Sequence, residues 1–329
     1  MLDIRFLLLT RDKLQERGLH LFQFDQQEIQ EYYQNFRVTR DLLELRNIAT
    51  VAQERGVRTI PEFFNARLAE RVAGEIGQAD VILANNVMAH IPDINDVFNG
   101  VAHLLKPDGV AIIETPYVRE LVDRNEFDTI YHEHVFYYSL TSLDRLLQRH
   151  GLVPIGVERM SIHGGSLRVT ARHARRQQSA TPAVGDLLRE EAECGLSRLG
   201  YYTEFSDRVS RLQTKIRDTI DELRFNGMRV AAYGAGAKGT VLLNSIGADP
   251  RLLEFVADRS SYKQGRFMPG ARIPIVSPDR ILETMPDYVL LLTWNFAEEI
   301  MSQQKEYRRR GGRFIVPIPD VRTFAMTAN

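Results

Sequence analysis

An α/β protein with two sheet-forming domains is predicted from three features of the chain. Apolar runs of strand length alternate with amphipathic helical stretches between Asn47 and His173. The alternation restarts at Met228 and continues to Arg322. Between them, Phe205, Val209, Leu212, Ile216, Ile220 and Leu223 recur at spacings of three and four, the stripe of one long helix. Strands that alternate with helices make a sheet covered on its faces, and 329 residues suffice for two ordinary domains.

Residues 1–46 are rich in glutamine and charge, with a candidate helix over Glu28–Phe36 and no strand that runs into a glycine turn. They are set apart as an unassigned N-terminal segment. Ile48–Arg55 reads as a helix closed by Gly56, Val57–Ile60 as a short strand, and Asn65–Glu75 as a second helix. Asp80–Ala84 is almost wholly apolar, as a strand covered on both faces is. Ile94–Leu105 carries Val97, Val101, Leu104 and Leu105 on one helical stripe, and Lys106-Pro107-Asp108-Gly109 is expected to stop it as a turn before the strand Val110–Glu114. A helix over Leu140–His150 and a hairpin of Val153–Arg159 with Ser166–His173 complete the first domain, 47–173. The polar, proline-containing stretch Ala174–Gly185 reads as linker, so 174–227 is linker plus long helix. In the last domain, 228–329, strands are expected at Arg229–Tyr233, Leu253–Ala257, Tyr288–Thr293 and Arg313–Val316.

The formal net charge of −1 gives no reason to expect a nucleic-acid or membrane-surface partner. One cysteine, Cys194, forms no internal disulfide and no cysteine zinc cluster, which fits a reducing compartment. Phe6–Leu9 is too short an apolar run for a signal peptide or a membrane span. A cytoplasmic monomer is expected.

Two motifs carry candidate chemistry. Gly234-x-Gly236-x-x-Gly239 follows a strand and opens a helix, and Asp258 ends the next strand, as in a dinucleotide fingerprint. Lys238 adds a point charge suited to phosphate. The same glycines also serve a tight strand-to-helix turn, so a phosphate contact and a purely structural turn both remain open, with an NAD site as a third option. The second motif is Tyr131-His132-Glu133-His134, four consecutive proton-handling side chains ahead of Phe136, Tyr137 and Tyr138. An extended backbone would put Tyr131 and Glu133 on one side and His132 and His134 on the other, unless the segment turns. His-x-His is also a metal-ligand spacing, which would need His90 and Glu114 nearby; no metal is expected.

From Asn47 to Arg322 the chain resembles the sugar C-methyltransferases, which methylate a keto sugar carried on a nucleotide. The resemblance rests on five segments in order: Ala84–Asp93, Leu105–Gly109, Phe127–His134, His163–Arg168 and Tyr233–Gly239. It implies a class I methyltransferase-like sheet, incomplete at its N-terminus, followed by a second, Rossmann-like α/β domain that helps enclose the substrate. It also implies S-adenosylmethionine as cofactor and a nucleotide-linked keto-deoxysugar as substrate. Carbon beside a ketone must lose a proton before it becomes nucleophilic. The resemblance makes His134 that base, with Tyr131, Glu133 and His90 lining the site. Asn85, Asn86 and, by position, Glu44 are the implied cofactor contacts. His163, Ser166, Arg168, Gly234, Gly236 and Lys238 are the implied substrate contacts, with a strand-entry turn as the bland reading of His163-Gly164-Gly165.

Two parts of the family pattern are missing. One cysteine cannot build the usual N-terminal zinc domain, and the only glycine before Asn47 is Gly18, so no glycine-rich cofactor turn is legible. Weakened cofactor binding is the expected consequence. A non-catalytic nucleotide-sugar binding protein and an NAD-dependent sugar-modifying oxidoreductase are the competing functions.

Overall fold

A computed structural model describes residues 6–9, 50, 52–54, 57–175 and 179–325, with the backbone alone for Phe6–Leu9 and His163. The expected helix Glu28–Phe36, the end of the helix at Arg55 and Gly56, and Glu44 lie outside the described residues. The chain divides into two compact units. The first comprises Met1–Val118, Val135–Ser161 and Gly165–Cys194, and the second Arg119–His134, Ile162–Gly164 and Gly195–Asn329. The Tyr131–His134 motif therefore belongs to the second unit.

The first unit holds strands β1 (Phe6–Leu9), β2 (Ala79–Asn85), β3 (Leu105–Pro116), β4 (Leu152–Met160) and β5 (Ser166–His173) in the order β1-β2-β3-β5-β4. The β2–β3 pair is parallel, and β5 runs antiparallel to both β3 and β4. The expected hairpin is thus present. Helices α1 (Ala66–Ile76), α2 (Ile94–Leu104), α3 (Leu140–Arg149) and α4 (Pro182–Glu193) supply the other layers. One face of the sheet, with Ile82, Ala84, Ala111, Ile113, Leu167 and Val169, packs against the apolar faces of the helices. Each helix start has a physical reason. Asn65 Oδ1 accepts from Leu68 N at 2.8 Å and Asp93 from Asp96 N at 3.2 Å, and Ser139 and Ser142 cap reciprocally, each cap contributing about 1 kcal/mol. At α3 the buried Glu191 carboxylate also accepts from the N–H groups of Leu140 and Thr141 and from the Tyr117 hydroxyl. An anion there suits the helix dipole and satisfies donors that the helix leaves over.

Three expectations are corrected. Residues 57–60 form no strand. Lys106–Gly109 is not a turn outside the sheet: β3 begins at Leu105, paired with Ala79, and the ladder resumes at Val110 opposite Val81, so four residues bulge from the strand. The stretch read as linker to Gly185 already turns helical at Pro182, where proline suits a first helical turn. The N-terminal segment also supplies one strand beside β2. It is β1, antiparallel, with Phe6 opposite Ala84 and Leu9 opposite Val81. Its direction leads the chain away from the carboxyl end of β2, so it is not the parallel strand that would deliver a glycine turn there.

In the second unit α5 (Leu199–Phe225) buries Leu212, Ile216 and Ile220, the predicted stripe. The sheet contains β6 (Val230–Tyr233), β7 (Val256–Ala257), β8 (Ile275–Val276), β9 (Tyr288–Leu291), β10 (Arg313–Val316) and β11 (Arg322–Phe324), in the order β11-β10-β9-β6-β7-β8. All pairs are parallel except β10–β11. Helix α6 (Ala237–Ser245) follows β6. The strand expected at Leu253–Ala257 is present as the two-residue β7, whereas the two-residue β8 and the edge strand β11 give too little periodicity to read from sequence. The chain winds outward from β6 through β7 and β8, then returns to β9 on the other side. The switch point between β6 and β9, at their carboxyl ends, is where doubly wound sheets bind ligands. Among the described residues no helix is long and apolar enough to cross a membrane.

Candidate active site

In the first unit the carboxyl ends of β2 and β3 bring three polar side chains together. Asn86 leaves β2 with φ of 52° and donates its Nδ2 to Glu114 Oε1 at 3.1 Å, while its backbone N–H donates to Glu114 O. Arg168, on the adjoining β5, places Nε and Nη2 at 3.2 and 2.9 Å from Glu114 Oε2. Glu114 is almost fully buried, and the two-pronged contact keeps its charge paired. Asn86 must therefore point its Oδ1 the other way. That oxygen, Asn85 Oδ1 and Thr115 Oγ1 are buried with no hydrogen-bond partner, which marks a place for a ligand with donors. The next residues enter a 3-10 turn, Met88–His90, pinned by Tyr138 Oη on Met88 O and by Val135 N on Ala89 O. His90 ends that turn, half-buried. Ser166 opens β5 with its side chain buried.

In the second unit the segment Tyr131–His134 is not extended. His134 N donates to Tyr131 O at 2.9 Å, so the chain turns. Of the two readings left open, the turn is the one found, and Tyr131 stacks on His134 with ring centroids 4.3 Å apart. The turn leaves His132 exposed, 4.0 Å from Glu133. His134 Nδ1 lies 2.8 Å from the carbonyl oxygen of Thr129, and Nε2 lies 3.1 Å from Tyr131 Oη. A carbonyl can only accept, so Nδ1 carries the hydrogen. In the neutral ring Nε2 is then the basic nitrogen, and Tyr131 donates to it.

The 3-10 turn Phe127–Thr129 that supplies this carbonyl contains one buried carboxylate, Asp128, and is preceded by another, Glu126. Asp128 Oδ2 accepts from Trp294 Nε1 at 2.7 Å. Glu126 lies against Gly164, where φ is 98° and a Cβ would come within 2.5 Å of Oε2, so only glycine fits. Burial pushes Glu126 up to about 7 and Asp128 up to about 6, and the Lys238 ammonium pulls both back down. Burial lowers Lys238 in turn, while the two carboxylates raise it. Lys238 Nζ sits 4.8 Å from the Trp294 ring centroid, a cation–π contact.

The glycine turn at β6 is packed from within. Gly234 has φ of 101°, and a Cβ there would meet Thr293 at 2.6 Å; one on Gly239 would meet Gly234 O at 2.7 Å. The N–H of Ala235, a donor that a phosphate would need, is taken by Asp258 Oδ2 at 2.7 Å. Asp258 also accepts from Ser260 N and Lys263 Nζ. It is turned into the loop and does not stand free to hold a ribose, which speaks against a dinucleotide site. Gly236 has open space around it. His163 lies, by its backbone, in the 3-10 turn Ile162–Gly164. Among the described residues no three His, Cys, Asp or Glu side chains converge as metal ligands.

The second unit thus gathers Tyr131, Glu133, His134, Gly234, Gly236 and Lys238, and the first holds Asn85, Asn86, His90, Ser166 and Arg168. Sequence reasoning missed Glu114 as a buried partner of Arg168, and it missed Glu126, Asp128, Thr293 and Trp294. One signal was available: Trp294 is the only tryptophan and directly follows a predicted strand.

A methyltransferase domain matches residues 11–156, and a C-methyltransferase C-terminal domain matches residues 161–319. The C-methyltransferase NovU of Streptomyces niveus is 44% identical over 280 residues, which cover 85% of this chain and 67% of NovU. The chain belongs to the C-methyltransferase family. It is accordingly a methyltransferase, with S-adenosylmethionine as its cofactor. The domain match from residue 11 carries the family likeness back into the segment that composition alone sets apart. Solved structures with partial likeness include the mitomycin 7-O-methyltransferase MmcR, at 18% identity and TM-score 0.30 over 40% of this chain and 39% of that one. An O-methyltransferase family protein from Burkholderia thailandensis gives 20% identity and TM-score 0.29, over 40% of each chain. The chain thus spans about two fifths of those two proteins, and the family assignment rests on the sequence matches.

Proposed function

We propose that this C-methyltransferase methylates the carbon beside the carbonyl of a nucleotide-linked keto-deoxysugar, with His134 as the base. The reading is carried by the Thr129 carbonyl on Nδ1, which leaves Nε2 as the ring's proton acceptor. Removal of the α-hydrogen puts its electron pair into an enolate, whose carbon is the methyl acceptor. Tyr131, already a donor toward Nε2, moves its hydrogen bond to the enolate oxygen as Nε2 takes the proton. Glu133 and His90 are the further proposed lining groups. S-adenosylmethionine supplies the electrophilic methyl group.

The cofactor contacts in this reading are Asn85 and Asn86. Their buried, partnerless Oδ1 atoms suit the ammonium end of S-adenosylmethionine, and Glu114 with Arg168 fixes the Asn86 amide so that its oxygen faces that way. Arg168 is thereby a support for the cofactor half. Gly236, with open space above it, is the proposed approach for a substrate phosphate. Residues 1–46 hold a single glycine, Gly18, so low donor affinity belongs to the proposal.

The test incubates the chain with S-adenosylmethionine labelled with carbon-13 at the methyl group and a nucleotide-linked 4-keto-6-deoxysugar. A labelled methyl signal coupled to a ring carbon next to the carbonyl is expected. Label on oxygen only, or no transfer at any donor concentration, would contradict the reading. Calorimetric titration with the donor alone is expected to give weak binding, and tight binding would contradict the low donor affinity.

A further inference from the structure

Neither the base nor its lining residues account for the buried charged cluster behind the Phe127–Thr129 turn. The turn is one hydrogen-bonded unit: Thr129 N and Oγ1 both donate to Glu126 O, at 3.1 and 2.7 Å, and Ile130 N donates to Phe127 O. It is tethered to the sheet at the switch point by the indole N–H of Trp294 on Asp128, a contact between residues 166 apart in sequence. Asp128 is fully inaccessible and Trp294 nearly so, which shields the bond between them from bulk solvent. Trp294 itself is set by β9, since Leu292 N donates to Tyr233 O two residues before it. Lys238, at the start of α6, lies over the indole ring.

We propose that Trp294 and Asp128 are positioning residues which hold the Thr129 carbonyl on His134 Nδ1 and so keep Nε2 as the unprotonated nitrogen. The inference rests on reading His134 as the base. Asp128 and Thr129 are neighbours in one tight turn, so a shift of the Asp128 side chain moves the Thr129 carbonyl with it. A neutral imidazole that loses its Nδ1 acceptor distributes its hydrogen over both nitrogens, and the fraction with a bare Nε2 falls. An indole N–H is a fit tether because it is donor-only and rigid, and it cannot be turned to offer a lone pair.

The experiment reads the His134 tautomer in the full chain, labelled with nitrogen-15 at histidine, by two-bond imidazole proton–nitrogen correlation. The parent is expected to show the hydrogen on Nδ1. Trp294→Phe, which keeps a ring and deletes the N–H, is expected to show mixed tautomers. It is also expected to lower kcat for α-hydrogen exchange about tenfold with KM unchanged. Asp128→Asn still offers an oxygen to the indole and is expected to retain the parent tautomer, whereas Asp128→Ala is expected to match Trp294→Phe. A parent spectrum with the hydrogen on Nε2 overturns the proposal without any variant. So does a folded Trp294→Phe protein with the parent tautomer and parent kcat. The tautomer is read without turnover, so a protein in which His134 proves not to be the base still shows whether the tether sets the ring's hydrogen.

Discussion

Replacing His134 by glutamine is expected to lower kcat for methyl transfer by about a hundred- to ten-thousand-fold, the range that a positioned general base contributes. KM is expected to stay within about a factor of three, because glutamine fills similar space and keeps a polar tip near Tyr131. The reason is local. Only an imidazole can bond the Thr129 carbonyl through one nitrogen and present a lone pair at the other. An amide nitrogen in that place offers no lone pair, so the α-hydrogen has nowhere to go. A loss of less than tenfold in steady-state kcat would mean that another group removes the proton.

The second large effect concerns stability. Lys238→Met removes the cation that offsets the charge of both Glu126 and Asp128 and leaves Arg124 to favour the charged form of the first and the Trp294 hydrogen bond that of the second. The expected loss is about 3–5 kcal/mol at pH 8. The sign of its pH dependence follows from the two carboxyls, both raised by burial, to about 7 and about 6. A carboxyl with a raised pKa stays protonated in the folded protein while the unfolded chain has already ionised. Stability from these two groups is therefore greatest at low pH, falls as pH climbs from about 4 to about 7, and is level above that. Without Lys238 both groups are raised further, so the gap between variant and parent widens above pH 7 and shrinks below pH 6. Urea unfolding read by tryptophan fluorescence checks this directly, because Trp294 is the sole tryptophan and touches the cluster. Equal stability of the two proteins at pH 8 would show that the lysine does not hold the carboxylates' charge.

Much of the fold was legible because it depends on local pattern. The apolar run at Asp80–Ala84 became β2, and the three-and-four stripe from Phe205 became α5. Boundaries failed where tertiary context overrode composition. Val57–Ile60 has strand-like residues but forms no strand, and Lys106–Gly109 has turn chemistry but is carried as a bulge between two paired stretches of β3. The two-residue β8 leaves no period to detect. The site shows the same division. The hallmark segment was visible as a run of proton-handling side chains, but its turned backbone was not, and with it went the Tyr131–His134 pairing. Lys238 was read as a phosphate contact because a cation beside a glycine turn suggests one, and Arg168 as a substrate contact because the family resemblance implies it. Their partners, Glu126 and Asp128 for the one and Glu114 for the other, sit far away in sequence and meet them only through packing. Asp258 fits a ribose by spacing, yet its carboxylate closes on the neighbouring loop. Spacing specifies which residue types are near a site, and only the fold decides which of them are already spent on each other.

The most direct test of His134 as the base follows the substrate's α-hydrogen in deuterated water with the methyl donor left out. The parent protein is expected to wash deuterium into the position beside the carbonyl, and His134→Gln is expected to reduce that rate by about a hundredfold or more. Exchange in His134→Gln at the parent rate would contradict the assignment.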